Sequence, residues 1–485
     1  MSVPLVRIRR LNEQPVVARG SYVLYWMTGA RRLEGNFAVD RAIELAREKR
    51  RPLLIFEAIR CDYRWASDRI HRFVLEGMEV NRRKCKSAGV TYFSYVEPRP
   101  GAGSGLLEML AQEACAVVTD DAPVFFLPKM HSAVAARLEV ALEAVDSNGL
   151  FPLWATERVF TTAASFRAHL QKALPAHLAQ LPLDQPFERL TAKRAQLPEG
   201  IEKRWPTQPE LALLPIDHSV APAPFAGGSD AADARLKHFL ANVIGGWPDS
   251  RNEPEVDGTS RLSPWLHFGH LGIHQVLAAV AARESWKPEV LGKGKGGRKA
   301  GWWRMSPEAE AFLDEAVTWR ELGYNFASHR SDAPNDFDSL PRWAISTLGK
   351  HEKDPRPVVY TTEQLDEAQT HDPLWNAAMN QLKREGWMHG YLRMLWGKRI
   401  LEWSQTPREA LGAMEHLMNR YSVDGRDPNS YSGFFWVLGR YDRPWGPERK
   451  IFGNIRYMSS ANTAKKFKVT SYVENYQSPL RSVLR

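Results

Sequence analysis

The chain has 485 residues, 44% apolar, 25% charged and 11% aromatic, a length beyond one hydrophobic core and a composition that excludes wholesale disorder and collagen-like or disulfide-scaffold classes. Its 65 Lys and Arg against 56 Asp and Glu leave a formal charge of +9, which suits a polyanionic partner, with nucleic acid the first candidate. Three cysteines, Cys61, Cys85 and Cys115, are too few for a disulfide framework or a four-thiolate metal centre, and no run approaches the roughly 18 apolar residues of a membrane span. The N-terminus, with Arg7, Arg9 and Arg10 followed by polar residues, lacks a signal peptide's apolar stretch, so a cytoplasmic protein is expected.

From residue 21 onward short apolar runs alternate with helical patterns. Strands are predicted over 21–26, 52–56, 90–95 and 116–120, with helices near 37–49, 68–87 and 105–114. That alternation implies a doubly wound α/β domain over residues 1–174, whose ligands sit beyond the carboxyl ends of the strands. The glycine cluster Gly101-Ala102-Gly103-Ser104-Gly105 lacks GxGxxG spacing and reads as a flexible loop. Residues 175–228 turn to Pro, Leu, Ala and Gln, including Pro206, Pro209, Pro215, Pro222 and Pro224, and read as an inter-domain linker. Residues 229–485 carry long helical periodicities, at 308–327, 375–404 and 407–420, and predict an all-helical second domain. The glycine- and lysine-rich stretch 292–299 reads as a solvated basic loop.

Seventeen tryptophans are an unusual number, and many follow residue 240. In the helical stretch 385–403, Trp396 and Trp403 are seven residues apart, on one face and about 10 Å from each other at 1.5 Å per residue. Arg393, one turn earlier, brings a guanidinium beside an indole, a charge that needs a carboxylate or an anionic ligand. On residue types alone the stripe reads as aromatic core. Two further segments add to it: the acceptor-rich Asp424-Gly425-Arg426-Asp427-Pro428-Asn429, and Thr259-Ser260-Arg261-Leu262-Ser263-Pro264-Trp265, whose hydroxyls and amides at a helix start suit a phosphate.

In this order and spacing, with Arg320-Glu321-Leu322, Thr370-His371-Asp372-Pro373-Leu374-Trp375-Asn376, Met388-His389-Gly390-Tyr391 and Phe452-Gly453-Asn454-Ile455-Arg456-Tyr457-Met458, these segments resemble the photolyase/cryptochrome family, most closely its class II cyclobutane pyrimidine dimer photolyases. The resemblance is dense from about 258 to 468. It implies an N-terminal antenna-type α/β domain, an all-α domain holding a U-shaped FAD, and light-driven repair of pyrimidine dimers in UV-damaged DNA by electron transfer from excited reduced FAD to a flipped dimer. Cofactor contacts carry over to Thr259, Ser260, Leu262, Ser263, Arg320, Asn325, Asp427 and Asn429, with Arg393 facing the flavin and pairing with Asp424. Electron-transfer tryptophans carry over as Trp396 nearest the flavin, then Trp375, then Trp403 toward solvent. Glu315 would hold the lesion's base edge, Trp319, Met394 and Trp436 would wall it, Arg443 and Trp445 would fill the emptied duplex, and Arg456 would contact backbone phosphate. The family pattern also leaves room for a second antenna chromophore of deazaflavin or folate type, whose contacts the stretch Thr28–Arg32 does not assign. A monomer, nucleoid-associated if prokaryotic, is expected.

The sequence departs from the class II pattern at 417–421, where Met418 stands for an asparagine that faces flavin N5, unless a one-residue shift brings Asn419 there. Trp387 also replaces a shorter polar residue. A light-signalling flavoprotein of the same fold without repair activity is the alternative reading, favoured by Met418, whereas Glu315, Trp319 and Trp436 favour the enzyme. His267, His270 and His274 have helical spacing, but no carboxylate or cysteine joins them and no metal site is expected.

Overall fold

The computed structural model describes residues 2–192, 194–206, 210–294, 296–330 and 336–477; Pro209 of the linker and Lys295 of the basic loop lie outside them. The N-terminal part is built on a six-stranded sheet of β1 (Ile8–Arg10), β2 (Tyr22–Met27), β3 (Leu53–Ile59), β4 (Thr91–Val96), β5 (Ala114–Asp120) and β6 (Leu142–Val145). Spatial order is β1-β6-β5-β2-β3-β4, parallel throughout except for β1, which runs antiparallel to β6. Every residue of β2, β5 and β6 is buried, as expected of parallel strands covered on both faces. The four predicted strands are present; β1 and β6 are additional, three and four residues long, too short to display alternation. The helix Phe37–Lys49 starts where the Asn36 side chain accepts from the Ala38 amide, and Asp68–Ala88 ends on Gly89 at φ 71°.

The C-terminal part is helical, with two differences from the periodicity. The predicted helix 308–327 is Pro307–Leu313, a π-helical turn Asp314–Trp319, then Arg320–His329. The predicted helix 375–404 is two helices, Pro373–Glu385 and Gly390–Trp403, because Gly386 turns left-handed at φ 68°. The segment 407–420 is the helix Pro407–Tyr421.

The stretch 175–228 is mostly irregular but fastened down. Trp205 Nε1 donates to Ala102 O at 2.9 Å, Ser67 and Asp217 form a β-bridge, and Gly227 lies so close to Phe73 O that a Cβ would sit 1.8 Å from it. The expected boundary near 174 is not an edge of packing, since Phe166 and Leu170 of the helix Ala163–Ala173 share a core with Phe239, Phe312 and Val317. The glycine cluster 101–105 is a shaped turn, not a free loop: Glu97 Oε1 accepts from the amides of Gly101 (3.0 Å) and Gly103 (3.3 Å). The three histidines do not share one helix. His267 ends Ser263–His267, His270 follows in a turn, and His274 belongs to Ile273–Arg283.

Candidate functional site

The site starts from three indoles. Asp372 caps the helix Pro373–Glu385 by accepting from the Trp375 amide at 3.2 Å, which sets Trp375 against the helix Gly390–Trp403. Trp375 and Trp396 stack with ring centroids 6.3 Å apart and planes 5° from parallel; Trp375 and Trp403 meet edge to face at 5.5 Å. Trp375 Nε1 donates to Trp396 O at 3.0 Å, while the indole nitrogens of Trp396 and Trp403 are buried without a protein partner. Trp403, expected toward solvent, is fully buried. Between it and the surface stand Tyr360 and His371, each with its ring 5.4 Å from the indole. The Tyr360 hydroxyl accepts from the His371 amide at 2.9 Å and lies 2.8 Å from His371 Nδ1.

Arg393 projects from the same helix and pairs with Asp424, Nη2 lying 3.1 Å from Oδ1, while its Nε is buried with no partner. Burial opposes ionisation of Asp424, but Arg393 and the hydroxyls of Ser422 and Ser263 outweigh it and hold the carboxyl below its ordinary range. A guanidinium with one carboxylate and a spare donor fits a planar anionic ring. His389, one residue before the helix, is buried with both ring nitrogens unpartnered, and burial lowers it to about 4, so it is neutral at pH 7. Thr259 and Ser260 are held by Arg235, which donates to both carbonyls at 2.7 Å, and Arg261 lies 4.4 Å over the ring of Trp387. Met418 is buried in the same apolar cluster as Trp396. Asn419 Oδ1 accepts from the Arg426 amide at 2.7 Å and so ties down the loop that carries Asp424, while its Nδ2 is buried without a partner.

Asp427 caps the helix Pro428–Val437, accepting from the Asn429 amide (2.8 Å), Asn429 Nδ2 (2.9 Å) and the Tyr324 hydroxyl (3.1 Å). Burial would raise its carboxyl, but His267, Arg320 and the Asn429 amide bring it down to about 2. Arg320 and Asn325 do not join Arg393. They lie at the seam with the sheet-bearing part, Arg320 donating to Asn148 O at 2.7 Å and Asn325 pairing with the backbone of Arg158 and Phe160.

The π-helical turn presents Glu315 and Trp319, both partly exposed, and Met394, Arg393 and Trp436 are partly exposed on helices that are otherwise largely buried. A π turn adds a residue to the helical turn and recurs at functional sites. Glu315 pairs with Arg251, a residue that no motif singled out. Beneath Trp436 lies Lys398, fully buried, its Nζ 4.9 Å from the ring centroid and donating to Val437 O. Burial lowers Lys398 to about 7. A lysine inside an apolar stripe is the one signal by which the sequence could have flagged it. Nearby, Trp445 is stacked between Arg443 (4.4 Å) and Arg456 (4.1 Å), and Asp442 binds both the indole nitrogen of Trp445 and the Arg456 guanidinium.

A separate cavity of about 430 Å³ opens beyond the carboxyl ends of the strands, where β2 and β5 diverge in connection, and reaches the helical part at His267, Arg320 and Asp427. Thr28–Arg32 line it, their turn fixed by Asp120 Oδ2, which accepts from the amides of Thr28 and Gly29 at 2.8 Å each.

No family model matches the chain. It is similar to the deoxyribodipyrimidine photo-lyase of Methanothermobacter thermautotrophicus, 34% identical over 96% of this chain and 97% of the relative. It is also similar to those of Arabidopsis thaliana, 31% identical over 100% and 95%, and of Potorous tridactylus, 31% over 93% and 80%. Among solved structures, a class III photolyase from Agrobacterium tumefaciens superposes with a TM-score of 0.67 at 18% identity, covering 94% of this chain and 86% of that one. A cryptochrome from Synechocystis superposes at 0.68 and 14%, covering 94% and 88%.

Proposed function

The chain belongs to the deoxyribodipyrimidine photo-lyase family, and from that premise we propose that it is a class II-type enzyme that uses light to split cyclobutane pyrimidine dimers in DNA. The observation that carries this reading is the Arg393–Asp424 pair, its arginine on the same helix as Trp396, which stacks on the buried Trp375. FAD, when bound, supplies light absorption and one-electron transfer. The residues that would hold it are Arg393, Asp424, Met418, Thr259, Ser260, Leu262 and Ser263. The fit is supported by the unpartnered Nε of Arg393 and the unpartnered ring nitrogens of His389, buried donors and acceptors that a polar ligand would satisfy. Asp427 and Asn429 support the site by capping the helix that carries Trp436, and Arg320 and Asn325 by closing it against the sheet-bearing part.

Trp396, Trp375 and Trp403 form a continuous path of oxidisable rings, each within 6.3 Å of the next, that extends through Tyr360 to the surface. Glu315 receives the lesion's base edge after exchanging its pairing with Arg251, and Trp319, Met394 and Trp436 exclude water around the flipped bases. Arg443 and Trp445, held rigid by Asp442 and Arg456, occupy the gap in the duplex. The cavity lined by Thr28–Arg32 is our candidate for a second chromophore of deazaflavin or folate type. No helix among the described residues is long and apolar enough to cross a membrane, and we infer a cytoplasmic monomer that acts on UV-damaged DNA. Met418 favours a second reading, a photoreceptor of the same fold, because a thioether is a poor acceptor where an amide would bind flavin N5.

Illumination of the purified, flavin-loaded chain with a dimer-containing oligonucleotide tests the proposal. The dimer is expected to disappear in blue light and persist in the dark; persistence in both overturns the repair reading.

A further inference from the structure

The described residues of the basic stretch, 292–294 and 296–299, are not a free surface loop. Gln171 and Arg298 exchange two hydrogen bonds, Gln171 Nε2 donating to Arg298 O at 2.7 Å and the Arg298 amide to Gln171 Oε1 at 3.0 Å, and the Gly292 amide donates to Trp302 O at 2.7 Å. Gly296 lies against the helix Ala163–Ala173 so closely that a Cβ would sit 2.7 Å from Ala168 O, and Gly296 and Gly297 have φ of 76° and 88°. Glycine is required there by both contact and conformation. The loop is thus seated on one helix, and that helix is bolted to the π-helical turn: Arg167 grips Asp314 with bonds of 2.7 and 2.8 Å, next to Glu315.

Lys293, Arg298, Lys299 and the neighbouring Arg304 are exposed, and among the described residues none of them has an acidic partner. At the other end of the same helix its cap, Thr162, forms a β-bridge with Tyr441, which leads directly into Asp442, Arg443 and Trp445. From Thr162 to Gln171 the helix rises about 14 Å at 1.5 Å per residue.

We propose that the loop bearing Lys293, Arg298 and Lys299 is a second phosphate-binding arm, holding duplex DNA to one side of the phosphate met by Arg456. It rests on the reading of the π-helical turn and the Arg443–Trp445 segment as the lesion site. A solvated basic loop has no need of glycines that let it dock or of a helix that ties it to the lesion-facing turn. Rigid placement matters because a phosphate contact made by a preorganised cation avoids the ordering cost of a mobile one.

The test is equilibrium binding of the full chain to fluorescent duplexes, damaged and undamaged, across salt concentrations, with the triple variant Lys293→Ser, Arg298→Ser, Lys299→Ser. Each phosphate contact contributes about 0.9 to the slope of log affinity against log salt, so the variant should lose between two and three from the slope. Between 50 and 200 mM salt the wild-type affinity should then fall about 40-fold further than that of the variant. Damaged and undamaged duplexes should lose equally. A duplex truncated next to the lesion on the arm's side should give the wild type the variant's slope. An unchanged slope, or a loss confined to damaged DNA, overturns the arm. A wild type without preference for damaged DNA overturns the lesion-site reading itself, an outcome distinct from either.

Discussion

Lys398 shows how one side chain can be costly to the fold and still have a place in it. It is fully buried, with one carbonyl and the face of Trp436 as its company, Asp442 favouring and Arg456 opposing its charge. Its folded value of about 7 lies below the ordinary 10.5. The unfolded chain therefore binds a proton that the folded chain does not across this window, and stability should rise with pH between these two values. Compared with Lys398→Met by urea unfolding, the wild type should gain about 2 kcal/mol between pH 7.5 and 9.5; parallel profiles would show that the amine stays protonated in the fold. Two other side chains report on the proposed chemistry. Trp396→Phe should still bind FAD but lose most photoreduction under blue light, and unchanged photoreduction removes Trp396 from the path. Glu315→Ala should slow repair by about 10- to 100-fold, the worth of one charge-assisted hydrogen bond; undiminished repair takes the lesion contact away from Glu315.

At the level of elements, two interruptions of helical periodicity shape the site. The π turn Asp314–Trp319 brings Glu315 and Trp319 forward where an unbroken helix was expected, and the break at Gly386 lets Pro373–Glu385 and Gly390–Trp403 fold back so that Trp375 stacks on Trp396. A Cβ at Gly386 would stand 2.9 Å from Val423 Cγ2 and 3.0 Å from Arg69 Cδ, on a backbone at φ 68°. The left-handed conformation alone costs a residue with a side chain about 1–2 kcal/mol. Gly386→Ala should therefore lower the unfolding free energy by about 1–3 kcal/mol in a denaturant titration, and an unaltered midpoint would mean that the break relaxes without loss.

Over the whole molecule, Arg69 joins the parts. Rooted in the helix Asp68–Ala88, which packs on β4, its buried guanidinium donates to the carbonyls of Ala221 in the linker (2.8 Å), Leu382 (3.2 Å) and Lys383 (2.6 Å) at the end of one C-terminal helix, and Tyr421 (2.6 Å) at the end of another. Desolvation lowers it to about 10, so it keeps its charge at pH 7. Arg69→Met leaves those carbonyls buried without a donor, at about 1–3 kcal/mol for each that water does not reach. It should destabilise the chain by at least about 3 kcal/mol in urea; a loss under about 1 kcal/mol would show that the halves hold together without it.

Much of this architecture was legible in the sequence because its signals are local. The runs at β2 to β5, the helices that follow them and the helix Pro407–Tyr421 are each dictated by patterns within a dozen residues, and the motif order from Thr259 to Arg456 carries the family resemblance independently of any tertiary contact. What depended on tertiary structure was non-local. β1 and β6 exist only as partners of each other and of β5; the Glu315–Arg251 pair spans 64 residues; Arg320 and Asn325 are drawn to the interdomain seam because the backbone of 148–160 offers them partners there. Likewise, the burial of Trp403 behind Tyr360 and His371 is set by how helices pack, not by their own periodicity. Local residue order settled which chemistry the chain carries, and only packing over long sequence distances decided which charged and aromatic groups meet.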